Sequence, residues 1–188
     1  MDANAPHGGP SSSEMEVTIP SLAIAAVTFI AVILVMLGEA ALSAHNETVL
    51  RARGAIESED RIFDALRWAY PGCFMAMAAE GALTGPSTPT LLPIGLAIFG
   101  LSKALKIWTI STLGVRWTFR VLVLPGTSPV TNGPYRLMRH PNYLAILGEF
   151  AGVALTVWAP VTGLVSIVGY GALLRRKIAV EDRALGRQ

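Results

Sequence analysis

The chain has 188 residues, of which 52% are hydrophobic and only 15% charged, against the roughly 25% charged residues of an ordinary soluble domain. Fifteen basic against 13 acidic side chains leave a net charge of +2, which excludes a nucleic-acid binder with a dominant basic face, and the length is that expected of one compact unit rather than a multidomain enzyme. A single cysteine, Cys73, excludes an internal disulfide and any multi-cysteine zinc or iron–sulfur site.

Residues 1–19 begin MDANAPHGGPSSSE, rich in Gly, Pro and Ser, and are expected to form a disordered tail. They carry no Lys or Arg, so the basic n-region of a signal peptide is missing. From Pro20 to Gly38 the chain is uncharged, close to the ~20 residues a helix needs to cross the hydrocarbon. Further apolar stretches run from about Leu66 to Leu83, from about Leu91 to Leu113 and from Tyr143 to Leu174. The last is too long for one span, and Pro160 disfavours helical geometry at Ala159. It is therefore divided into a hairpin of two helices, about 143–158 and 161–178, with GPSTP at 85–89 as the turn between the second and third spans.

The expected fold is thus all-α, a polytopic bundle of five membrane helices ending in a helical hairpin, with residues 20–188 as one domain. All 15 Lys and Arg fall between spans one and two, at the end of span three or in the loop after it, or after span five. The positive-inside rule then puts the N-terminus outside and the C-terminus in the cytoplasm of a multi-pass cell-membrane protein. Asn46-Glu47-Thr48 fits the glycosylation pattern but falls on the cytoplasmic side. Glu39 and Glu80 are expected to snorkel to the two membrane boundaries, and Trp68, Trp108 and Trp117 to anchor at the interface.

Polar residues concentrate in the loop from Gly114 to Tyr143 and in the C-terminal segment RRKIAVEDRALGRQ. In the loop, Gly133-Pro134-Tyr135 is followed by Arg139-His140-Pro141 and Tyr143, so prolines fix the backbone around cations and aromatics as a rigid ligand-holding turn requires. The plainer alternative is a surface loop whose arginines meet lipid phosphates. After span five, Ile178, Glu181 and Leu185 share one helical face, whereas Asp182, Arg183 and Arg187 suit a solvated one. An inward Glu181 needs a partner, because an unpaired buried carboxylate is costly. Arg139, Lys177 and a cationic cofactor are the candidates. Glu149, about two turns after Tyr143 on span four, is an intramembrane carboxylate and hence a candidate to face a reaction cavity.

GPYRLMRHPNY at 133–143, an apolar hairpin and KIAVEDRAL at 177–185 together resemble the C-terminal half of the isoprenylcysteine carboxyl methyltransferase family, and SAHNETVLRARGAIE is more similar to its bacterial members, some of which methylate the hydroxyl of alkylpyrones. The resemblance implies a membrane enzyme that transfers a methyl group from S-adenosylmethionine to a lipophilic acceptor entering from the bilayer, with a catalytic core over about 114–188. It implies that Tyr135, Arg139, His140, Pro141, Tyr143 and Glu181 form the cofactor site at the cytoplasmic ends of the helices; Lys177 is added to the cofactor-binding candidates, and Arg139, His140 and the intramembrane Glu149 are the catalytic candidates. Arg139 would pair with the cofactor carboxylate or an anionic acceptor; Glu181 would accept from the cofactor's amino group or its ribose hydroxyls.

The chain departs from the family pattern at Lys177, usually Arg, at Asp182, usually Glu, and at Ala145, often Gly. Lysine keeps the charge and loses the bidentate fork, which Arg176 next to it retains. The alternatives to a methyltransferase are an NADPH-dependent sterol-type reductase, since some of these carry a similar RHPNY-like stretch, and a non-enzymatic lipid-binding membrane protein.

Overall fold

A computed structural model describes residues 12–84 and 87–186, with side chains from Leu22 onward. Five α-helices carry the described fold: α1 (Ser12–Ala52), α2 (Phe63–Thr84), α3 (Leu91–Leu113), α4 (Pro141–Thr156) and α5 (Pro160–Ala184). Residues 1–11 of the expected tail lie outside the described residues, as do Gly85, Pro86 and Arg187, while 12–19 belong to α1. Two segments, Leu22–Ala52 and Leu91–Arg116, are long and apolar enough to cross a membrane. Large apolar side chains are exposed on the outward faces of the helices, among them Leu34 on α1, Leu83 on α2, Leu101 on α3, Leu144 on α4 and Val165 on α5. Such a surface suits lipid contact, since soluble monomers rarely expose large contiguous apolar patches.

The small residues explain the tightest packing. Helices α3 and α4 approach so closely that a Cβ built on Gly152 would lie 2.6 Å from the Phe99 nitrogen, one on Gly95 would lie 2.7 Å from the Thr156 nitrogen, and one on Gly148 would meet the Ser102 hydroxyl at 2.2 Å. Small residues spaced by four on one helix face permit this backbone approach. Gly100, by contrast, faces open space. Beside this seam Tyr70 and Phe74 of α2, Phe150 of α4 and Tyr170 of α5 form an aromatic core with ring centroids 5.0–5.8 Å apart.

The hairpin forms where Pro160 requires it. Trp158 takes φ 55° just beyond α4, and Pro160 opens α5 at its first turn, where a missing N–H costs nothing. Glu80 reaches the end of the bundle where α5 begins. Its carboxylate caps α5, accepting from the backbone N–H of Val161 (3.0 Å) and Thr162 (2.7 Å) and from the Thr162 hydroxyl.

At the opposite end α1 continues about four turns past the uncharged run that marks it in the sequence, and that extension is polar on the face turned toward the long loop. The Asn46 amide donates to the carbonyls of Gly114 (3.3 Å) and Trp117 (2.8 Å), and the Ser43 hydroxyl accepts from the Phe119 N–H at 2.8 Å. Asn46 is therefore buried in structure and is no surface acceptor. A two-residue pairing absent from the all-α expectation, β1 (Ile56–Glu57) with β2 (Leu122–Val123), ties the α1–α2 linker to the same loop. Arg120 bridges both elements, paired to Glu57 at 2.6 Å and to Glu47 at 3.7 Å and lying 4.2 Å over the Phe63 ring. Trp117 is buried rather than an interfacial anchor, while Trp68 and Trp108 are exposed.

Candidate functional site

The loop, the polar end of α1, the start of α2 and the last turns of α5 enclose a cavity of about 780 Å³. Its loop end is lined by Tyr135, Arg139, His140, Asn142, Tyr143, Lys177 and Glu181, so the cofactor-binding residues expected from the two motifs, all but Pro141, line one cavity. The convergence has a local cause. Gly133, at φ +57°, turns the chain so closely against Thr112 of α3 that a Cβ there would lie 2.4 Å from the Thr112 hydroxyl, and a one-turn helix over Gly133–Arg136 follows. Buried Pro141 then opens α4 with its fixed φ, leaving His140 just before the helix and Tyr143 in its first turn.

His140 and Tyr143 stack, with ring centroids 5.6 Å apart and planes at 12°. Both point at the end of α5. The Tyr143 hydroxyl donates to Glu181 Oε1, and the two imidazole nitrogens face two carboxylates, Nδ1 at 3.5 Å from Glu181 Oε2 and Nε2 at 3.5 Å from Asp182 Oδ1. Glu181 thus finds its partners in Tyr143 and His140, not in Arg139 or Lys177. Asp182 belongs to this cluster and not to a solvated face. His140 Nε2 and Asp182 Oδ1 are both buried and face each other at 3.5 Å, without a hydrogen bond to any described residue.

Lys177 is turned away from Glu181. Its ammonium pairs with Asp60 from the α1–α2 linker and donates to the Phe119 carbonyl at 3.0 Å. Asp60 in turn accepts from the Ile62 N–H at 3.2 Å, so the same carboxylate turns the linker into α2 and locks it to α5. Arg139 is exposed, lines the cavity and makes no ion pair with any described residue.

Glu149 is fully buried and stands apart from the loop wall. It lies 3.0 Å from Lys103 and 2.9 Å from Lys106, and it accepts from the Tyr70 hydroxyl. Glu39 completes the cluster at 2.9 Å from Lys103 and 3.1 Å from Lys106, so it is no snorkelling residue. Both lysines lie within α3 and face other helices instead of marking a loop. Sequence reasoning missed Asp60, Tyr70, Lys106 and Asp182. The available signal was the presence of two lysines three residues apart inside an otherwise apolar span, which demands anionic partners on neighbouring helices.

The sequence pattern of the isoprenylcysteine carboxyl methyltransferase (ICMT) family matches residues 94–187, half of the chain, covering nearly all of α3, the loop, α4 and α5. The chain is 31% identical over 148 residues to the uncharacterized protein YpbQ of Bacillus subtilis, covering 78% of this chain and 88% of that protein. It is 29% identical over 160 residues to an uncharacterized protein of Haemophilus influenzae, covering 85% of this chain and 93% of that protein. No solved structure matches it significantly. With the motif residues gathered on one cavity wall and the pattern spanning that wall, the chain belongs to the isoprenylcysteine carboxyl methyltransferase family.

Proposed function

We propose that this membrane protein transfers a methyl group from S-adenosylmethionine to a carboxylate or hydroxyl oxygen of a lipophilic acceptor. The observation that carries the proposal is the convergence of Tyr135, Arg139, His140, Tyr143 and Glu181 at the polar end of a cavity whose far wall is apolar. Such a wall suits a polar cofactor at one end and a greasy acceptor at the other.

The residues present fit the cofactor's polar groups. Glu181 supplies an anionic acceptor for an amino group or ribose hydroxyls, Arg139 supplies a guanidinium for a carboxylate, and Tyr135 adds an aromatic wall. When bound, the cofactor would supply an electrophilic sulfonium methyl for the acceptor oxygen, its sulfur keeping the electron pair of the broken carbon–sulfur bond, and the proton of a hydroxyl acceptor would pass to a carboxylate of the cavity wall. The chain's part is to hold the reactants in line and exclude water, which can supply ~7–11 kcal/mol of barrier reduction through positioning. His140, clamped by the Tyr143 stack and two carboxylates, acts in this scheme as a hydrogen-bonding positioner. Lys177 and Pro141 hold the loop and helix starts in place rather than touching the cofactor.

The topology that accompanies this function has all five helices in the bilayer, the N-terminus outside and the site cytoplasmic. The exposed apolar faces of α1, α2, α3 and α5 support it, and so does the gathering of arginines at the loop end. The test is transfer of labelled methyl from S-adenosylmethionine into a membrane lipid extract by the purified protein. A labelled lipophilic product that disappears in Glu181→Ala is expected. No label transfer, together with tight NADPH binding, would contradict the proposal in favour of a reductase.

A further inference from the structure

The cavity wall is open between α1 and α2. Leu37, Ala40 and Ala44 of α1 and Arg67, Trp68 and Pro71 of α2 all line it, yet Leu37 is 61% and Trp68 70% exposed, and Ala40, Ala44 and Arg67 are exposed as well. Residues that line a cavity and also face outward form its mouth. The two helices are level here, because Glu39 of α1 and Tyr70 of α2 both accept from the Lys106 ammonium, each at 3.1 Å. Counted from that level at 1.5 Å per residue, Arg67 lies about 4.5 Å toward the loop end, between Ala40 at about 1.5 Å and Ala44 at about 7.5 Å.

The gap has a cause in the sequence. Farther from the loop, Ala25 and Val32 of α1 share one buried core with Phe74 and Met77 of α2. At the mouth Ala40 and Ala44 offer only methyl groups, and Pro71 lacks the N–H that would bond the Arg67 carbonyl, which loosens α2 at this turn. An opening edged by Leu37, Trp68 and alanines favours acyl chains over water.

Arg67 specifies the kind of lipid. Its guanidinium lies 5.6 Å from the centroid of the Trp68 ring and makes no ion pair with any described residue, Asp64 one turn earlier included. A ring face supports the cation without using its N–H groups, so the planar fork stays available to an anion. Arg67 is the fifth residue of α2, about 6 Å from the loop end of the helix, and basic side chains near a helix end are placed to meet the phosphates of anionic lipids.

We infer that the mouth between α1 and α2 is a binding site for one anionic diacyl phospholipid, its phosphate on Arg67 and its acyl chains over Leu37 and the apolar α1 wall beyond. The uncancelled guanidinium favours a net negative headgroup over a zwitterionic one, whose own cation already offsets its phosphate. The bound lipid seals the cavity against water from that side. The site stands whether or not the chain transfers methyl groups.

The test uses full-length protein in phosphatidylcholine nanodiscs with rising mole fractions of brominated phosphatidylglycerol or, separately, brominated phosphatidylcholine. Bromine quenches tryptophan at close range, and subtracting the same titration of the matching Trp68→Phe protein isolates Trp68. Wild type is expected to show saturable quenching, with phosphatidylglycerol at least about tenfold tighter, the effect of one hydrogen bond to a charged group. Arg67→Gln should abolish that preference, whereas Arg176→Gln, at an exposed arginine outside the cavity wall, should leave it in place. Equal quenching by the two lipids, a preference that survives Arg67→Gln, or an equal loss in both variants overturns the site, the last because it reports a basic surface and no more. Relief of the quenching by soluble glycerol phosphate would overturn it too, in favour of a free-phosphate site.

Discussion

Replacing Lys177 by methionine isolates what the buried pair with Asp60 contributes. Both side chains are 6% exposed, so removing the cation leaves an uncompensated carboxylate, which costs about 3–5 kcal/mol. The Phe119 carbonyl also loses a donor, worth about 1 kcal/mol more. Asp60→Asn retains the acceptor for the Ile62 N–H, so in the double variant Asp60→Asn/Lys177→Met the buried charge is gone and most of the loss should be recovered. Urea unfolding of the four proteins in one detergent gives the coupling energy, expected above about 2 kcal/mol. Single effects that add within ~0.5 kcal/mol, or a Lys177→Met loss below about 1 kcal/mol, would refute the assignment of Lys177 to the lock. Because Glu181 lies one turn further along α5, the same loosening should weaken cofactor binding before it abolishes folding.

The α3–α4 seam predicts that Gly152→Leu destabilises by at least the ~1–3 kcal/mol of an overpacked core, as its first side-chain carbon would land 2.6 Å from the Phe99 backbone; Gly100→Ala, in open space, serves as the harmless control, and equal melting temperatures for both would refute the seam. Glu80→Gln should cost about 1 kcal/mol, the usual worth of a helix cap, visible as faster exchange of the Val161 and Thr162 amides. Hydrogen bonds from Arg51 and then Arg120 hold the Glu57 carboxyl below its ordinary value of 4.5. The linker-to-loop tie should therefore be intact above pH 4.5 and weaken only as the pH falls below it. Limited proteolysis of the linker from pH 7 to pH 4 checks this, and cleavage that rises already near pH 6 would contradict it.

The hydrophobic runs and prolines made the helices legible. Pro160 located the hairpin turn, and the apolar stretches from Leu91 and from Tyr143 nearly coincide with α3 and α4. The end of α1 was not legible for a physical reason. Ser43, Asn46 and Glu47 are polar because they face the loop's backbone and arginines, and hydropathy cannot distinguish polar residues that meet protein from those that meet water. The motif residues His140, Tyr143 and Glu181 were legible because their spacing carries a family resemblance. Asp182, Asp60 and the Glu39–Lys106 pairing were not, since they depend on contacts between residues 42 to 117 positions apart, beyond the reach of helical periodicity. Lys177 shows the opposite limit: its motif position pointed to the cofactor, while its side chain engages the linker.

Titration calorimetry of S-adenosylhomocysteine into the purified, folded protein tests the central claim most directly. The site predicts saturable binding with one cofactor per chain, weakened at least about tenfold in Glu181→Ala, as loss of one charged hydrogen bond to the ligand requires. Absence of heat from the wild type, in a preparation whose helical content and cooperative unfolding are intact, would contradict the account.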